Sequence, residues 1–230
     1  MMREGCVLTS CLHSGPIPLA HVLEAESRPA WLETETDLAP GTVARVLNAL
    51  CREYGSCGVM VLDGGQVIGK ARVGPTEICD DQPFCVQQLP DRLSALSTSA
   101  LPPMASLGRR ALSILCLQLA EGGTYFGRGI GGEMVRQVVA WARSRGWDEI
   151  RAKATRHIPP LLHWTGLLSV DAYDKLGFTC VGLLDVDLLD GVRSMRAGHH
   201  GDDVLRQWEP FEHLSDEEAA AVYELVLRFP

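Results

Sequence analysis

The sequence has no Cys-x-x-Cys pair, no Gly-Lys-Ser/Thr after any glycine run, no apolar stretch close to twenty residues, and no excess of positive charge. Each absence removes a class of function. Without the lysine and hydroxyl that follow the glycines of a Walker loop, nucleotide hydrolysis by that motif is excluded. Without a long apolar run, a membrane-spanning helix is not expected. The net charge is −8, which argues against a general nucleic-acid or anionic-membrane binder, since either would carry a basic face. The opening "MMREGCVLTSCLHSG" has too short and broken an apolar run for a secretion signal, so a cytoplasmic location is expected. Eight cysteines in a 230-residue chain then read as free thiols rather than a disulfide framework. The spacing of Cys6, Cys11, His13, Cys51 and Cys57 fits no zinc module, and no metal is expected.

What is present is an ordinary globular composition, 46% hydrophobic and 22% charged. Residues 1–40 read as an N-terminal extension, packed on the body through Trp31 and Leu32. Residues 41–230 read as one domain, with an extra C-terminal segment at 186–230. Val43, Val46, Leu47 and Leu50 follow helical spacing, and Gly55 can end that helix. "GVMVLDGGQVIGKARVG" reads as a hairpin turning at Asp63-Gly64-Gly65. Residues 75–108 form a long connection dotted with proline and serine. "RRALSILCLQLAEGG" is apolar enough for a central strand covered on both faces. Ile130, Met134, Val135, Val138, Val139 and Ala142 mark the buried face of a helix that Gly146 closes. "WDEIRAKAT" reads as a strand, "RHIPPLLHWTG" as a Pro-broken loop, "LLSVDAYDKLGF" as a short helix and "FTCVGLLDVDLL" as a strand. "DDVLRQWEPF" reads as a last strand. "SDEEAAAVYELVLRF" reads as a terminal helix with Ser215 and Glu218 in a capping box.

The stretch "TYFGRGIGGEMV" carries four glycines between Gly127 and Gly132 and runs straight into the helix. Backbone amides at a helix start are unpaired and carry the positive end of its dipole, so a phosphate or pyrophosphate is the natural guest. Arg128 can add charge; Arg109 and Arg110 also lie near the loop in sequence. The alternative is a plain strand-to-helix turn. Gly127, Gly129 and Gly132 spell G-x-G-x-x-G, but five residues separate the first glycine from the strand's Glu121. The next strand also carries its acids, Asp148 and Glu149, at its start rather than its end. A nicotinamide-binding dehydrogenase is therefore the lesser reading.

A helix, a hairpin and a central strand run in order into Phe126-Gly127-Arg128-Gly129-Ile130-Gly131, and Ala172-Tyr173-Asp174-Lys175-Leu176-Gly177-Phe178 follows about 45 residues later. In these parts, over residues 41–185, the chain resembles the GCN5-related N-acetyltransferases. It departs at Phe126, where that family usually has Gln or Arg. The resemblance implies an α/β fold: a mixed, mostly antiparallel sheet flanked by helices, with a V-shaped opening between the fourth and fifth strands. It implies acetyl-CoA as donor, its pantetheine arm beside the backbone of Leu119, Ala120 and Glu121. Its pyrophosphate would lie on the amides of Phe126, Gly127, Arg128, Gly129, Ile130, Gly131 and Gly132. It implies Tyr173 as the acid that protonates the departing sulfur, against the alternative of a tyrosine that only packs.

The base stays open. Glu121 is one candidate, His157 and His163 are others, Gln118 could orient a water, and some such enzymes receive a neutral amine through water. His157, His163 and Trp164 are expected near the acceptor pocket. The acceptor is expected to be a primary amine of a small molecule or peptide, and the protein a monomer or homodimer. The second function carried forward is a non-catalytic CoA-binding or sensing module with the same fold.

Overall fold

In a computed structural model of the protein, the structure describes residues 49–63, 66–79, 101–119, 125, 127–186 and 188–230. The expected N-terminal extension, the first part of the first helix, the Gly64-Gly65 turn tip and most of the 75–108 connection lie outside the described residues.

Residues 49–54 are helical (α1) and stop at Gly55, whose φ of +85° is a glycine conformation. The hairpin follows as β1 (Gly58–Asp63) and β2 (Gln66–Pro75), then the short α2 (Thr76–Cys79). A 3-10 turn at Met104–Ser106 leads to β3 (Ala111–Leu119). Next come α3 (Ile130–Ser144), β4 (Glu149–Thr155), α4 (Pro159–Thr165), the two-residue β5 (Leu168–Ser169), α5 (Val170–Asp174) and β6 (Thr179–Leu184). Three short helices, α6 (Leu189–Arg196), α7 (Asp202–Trp208) and α8 (Asp216–Ala220), precede β7 (Val222–Arg228).

The sheet runs β1-β2-β3-β4-β7-β6, with β5 added beside β4. Among the described residues, β3–β4 and β4–β5 are parallel and the other four pairings are antiparallel. This is the expected mixed, mostly antiparallel sheet flanked by helices. One core lies between the sheet and α3, where Met134, Val135, Val138 and Ala142 are fully buried at helical spacing. Trp147 closes its end, with ring centroids 6.0 Å from Tyr54 and 6.4 Å from Trp141. A second cluster joins Ile158 and Leu161 around α4 to Leu188, Val192, Met195, Trp208 and Val222.

Three local expectations are corrected. "DDVLRQWEPF" is helical as α7, where its straight-chain residues favour a helix. "RHIPPLLHWTG" is not all loop: Pro159 and Pro160 occupy the first helical positions, where a missing N–H costs nothing. Ser215 and Glu218 do form the capping box, but their helix ends at Ala220. Val222, Leu225 and Val226 suit a helical spacing. Yet as β7 the segment hydrogen-bonds to β4 on one side and β6 on the other, and these two ladders outweigh local preference.

Glu149 opens β4 with no solvent exposure, and three arginines meet its carboxylate: Arg109 at 2.6 Å, Arg151 at 2.8 Å and Arg228 at 3.5 Å. Each arginine reaches solvent, so much of the attraction is screened. Replacing Glu149 with alanine leaves the arginines hydrated rather than stranded. The expected loss is therefore only about 0.5–1.5 kcal/mol in urea unfolding, the net range for a hydrogen bond whose remaining partner returns to water; a change under 0.5 kcal/mol would remove Glu149 from the account of how β4 is anchored.

Candidate active site

The site is built where β3 stops pairing on one side. β3 and β4 hold register over four pairs, from Ala111↔Glu149 to Ile114↔Ala152. At the next residue β3 carries a bulge. Its register with β2 steps from Val73↔Ile114 to Arg72↔Cys116, which leaves Leu115 without an opposite number. A bulge bends its strand and re-aims the side chains beyond it. Past this point β3 and β4 separate, and β4 pairs Ala154 and Thr155 with β5 instead. The opening expected between the family's fourth and fifth strands is thus the gap between β3 and β4.

Part of the gap is filled by the chain itself. The Leu117 N–H donates to the Gly166 carbonyl at 2.7 Å. Gly166 sits at φ +65°, and a Cβ there would meet the Leu117 oxygen at 2.8 Å. Glycine is required twice over, by conformation and by contact. Residue directions along a strand repeat every second position, so the Leu119 amide is the next group of β3 on that side. Gly166 was not singled out from the sequence. The signal was a Thr-Gly pair where a C′ glycine would end α4, hidden because that segment reads as loop.

The glycine loop divides into distinct roles. Gly127 and Gly129 have φ of +72° and +78°, with nothing near the place a side chain would occupy. Both serve the backbone turn. Gly131 is a packing glycine, since a Cβ there would meet Leu168 Cδ2 at 2.8 Å. Gly132 faces open space. Gly129 caps α3 with no side-chain hydrogen bond, and the first intrahelical bond runs from Glu133 N to Gly129 O. The amides of Ile130, Gly131 and Gly132 are therefore left for an outside acceptor. Glu133 is drawn sideways to Gln137 and Arg136, which hold its carboxyl below the usual range. Arg128 is exposed in the loop. β3 puts Arg109 and Arg110 at the far end of the strand, where they pair with Glu149 and Asp148, so neither reaches the loop.

Tyr173 is fully buried on α5, edge-on to Phe178 at 5.0 Å. Its hydroxyl has no hydrogen-bond partner among the described residues. Burial pushes its pKa well above the ordinary phenol value, and the Cys116 thiol on β3 adds to the shift. A buried unpaired hydroxyl costs about 1–3 kcal/mol, which a purely packing tyrosine would avoid as phenylalanine.

Of the other expected site residues, Leu119 is half-buried at the end of β3. Ala120, Glu121 and Phe126 lie outside the described residues. His157 is exposed before α4 and His163 is exposed on it. Trp164 is half exposed and rests on α6, where a Cβ on Gly191 would overlap its ring at 2.3 Å. Cys51, Cys57, Cys116 and Cys180 are in no disulfide among the described residues. No group of three or more metal-ligating side chains occurs among the described residues, and no described helix is long and apolar enough to cross a membrane.

No family model matches the chain, and no curated protein matches its sequence. Among solved structures it is similar to Ard1 from Thermoplasma volcanium, at 11% identity over 94% of this chain and 95% of that one, with a TM-score of 0.44. It is also similar to a ribosomal-protein-alanine N-acetyltransferase from Brucella melitensis, at 15% identity over 92% and 91%, with a TM-score of 0.45. Arabidopsis thaliana Naa50, in complex with a bisubstrate analogue, matches at 10% identity over 93% and 96%, with a TM-score of 0.46.

One substitution at two glycines tests these assignments. Gly166→Ala should destabilise the protein by at least ~1–2 kcal/mol, from the left-handed backbone alone. Gly132→Ala, in open helical space, should stabilise it by about 0.5–1 kcal/mol. Both are read as urea midpoints without ligand; effects of the same sign would contradict the division.

Proposed function

We propose that this protein is an acetyl-CoA-dependent N-acetyltransferase acting on a primary amine of a small molecule or peptide. The observation that carries the reading is the alignment of three features along one strand. β3 parts from β4 at a bulge, a buried unpaired phenol lies within electrostatic reach of Cys116 on that strand, and the strand leads into a helix start with free amides. An elongated thioester donor with a pyrophosphate at its far end fits that order. Acetyl-CoA supplies an activated acetyl group when bound.

The chain's own groups then divide the work. The amides of Ile130, Gly131 and Gly132, with the positive end of the α3 dipole, bind the pyrophosphate. Gly127 and Gly129 let the backbone turn so that those amides face outward. The Leu119 amide offers a backbone partner to the pantetheine arm. Tyr173 holds its proton at every physiological pH and gives it to the sulfur as the C–S bond breaks and its electron pair moves to sulfur. The proton shed by the attacking amine leaves through water and restores the phenol. Burial raises the basicity of a departing thiolate in the same direction as the phenol's. A non-catalytic CoA-binding module is the outcome that binding without turnover would support.

Acetyl-CoA at a hundred times its Kd should add about 2.7 kcal/mol of stability in thermal unfolding. Amine-dependent thiol release should then be measurable on a panel of amines, amino acids and peptides. Tyr173→Phe should keep the protection and lower the release rate about a hundredfold, within the usual range for a lost acid; an unchanged rate removes Tyr173 from the chemistry. The same variant has a ligand-free signature. With a raised folded pKa, Tyr173 contributes stability that is full below about pH 10 and declines above it, as the unfolded chain ionises first. Tyr173→Phe should therefore flatten the fall of stability above pH 10.

A further inference from the structure

The bulge at Leu115 sorts the far end of β3 into two faces. Leu117 and Leu119 share the face of Ala71 and Gly69, opposite them in register on β2. Cys116 and Gln118 share the other face, opposite Arg72 and Lys70. Gln118 lies two residues past Cys116 toward the glycine loop, beyond the last residue of β3 that pairs with β4, and so in the gap between the two strands. Its carbonyl oxygen, Oε1, is buried and accepts no hydrogen bond among the described residues. An amide oxygen held dry without a donor is unfavourable unless a donor arrives.

The geometry points to Gln118 as the residue that positions the acceptor amine, an inference that rests on the acetyltransferase reading. Oε1 accepts a hydrogen bond from the N–H of the incoming neutral amine and turns its lone pair toward the thioester carbon. An amide takes up no proton at neutral pH, so Gln118 orients the nucleophile without serving as its base. The amine's surplus proton leaves through water to the Tyr173 phenolate after the C–N bond forms. The donor's own amides are the rival source of an N–H, and loss of acetyl-CoA binding would reveal it.

Gln118→Met keeps length and volume and removes both polar atoms. Because Oε1 makes no bond in the free protein, the melting temperature without ligand should stay within 2 °C of the parent or rise. Acetyl-CoA protection should be unchanged. With the amine of the panel that releases most CoA from the parent protein, the amine KM should rise at least tenfold while the acetyl-CoA KM stays within twofold. Gln118→Glu, which restores an acceptor oxygen, should recover amine binding and add an acid limb to the pH profile. A fall in melting temperature beyond 5 °C would mark Gln118 as structural and overturn the inference. Loss of acetyl-CoA protection would assign it to the donor, and an amine KM within twofold of the parent would give it no role. Failure of the parent protein to bind acetyl-CoA, or to release CoA with any amine, would overturn the acetyltransferase reading itself and this one with it.

Discussion

The architecture turns on one strand that cannot keep both neighbours. Up to Ile114, β3 is paired with β2 and with β4, as a central strand should be. At Leu115 it bulges, and from there it keeps β2 alone. Its backbone groups on the β4 side must then find other partners, because buried amides are rarely left unpaired. Gly166 supplies one, for Leu117. The next position, Leu119, falls where the donor arm is proposed to lie. A continuous ladder would make a stronger sheet and no gap.

The rest of the molecule holds that parting in place. β4 is fixed on its other side by six register pairs to β7, and at its start by the arginines around Glu149. It can therefore leave β3 without losing its own support. β7 is delivered late in the chain, after three short helices that build a second core against α4. That core holds α4 against α6, where Trp164 rests on Gly191. The helical insertion before β7 and the segment that fills the gap are parts of one arrangement.

Much of this was legible in the sequence. The hairpin, the apolar β3, the periodic face of α3 and the Tyr173 helix each carry a local signal that their tertiary setting agrees with. The C-terminal elements were not. Val222, Leu225 and Val226 satisfy helical spacing as well as a strand covered on both faces. Only the vacancy between β4 and β6 decides, and no local pattern encodes a vacancy. The bulge at Leu115 was also silent, since a bulge is a relation between two strands. The glycine run was legible as a loop, but its division into conformational Gly127 and Gly129 and packing Gly131 needed Leu168 in place. Tyr173 was named from a resemblance; its buried, unpaired hydroxyl is a property of the fold.

The parting of β3 and β4 is held here to be the donor's binding slot. A crystal structure with coenzyme A bound tests that claim most directly. The account predicts the pyrophosphate on the amides of Ile130, Gly131 and Gly132, the pantetheine arm beside Leu119, and the sulfur within hydrogen-bond reach of Tyr173 Oη. Coenzyme A seated elsewhere, or a sulfur remote from Tyr173 with the gap closed by the chain alone, would contradict it.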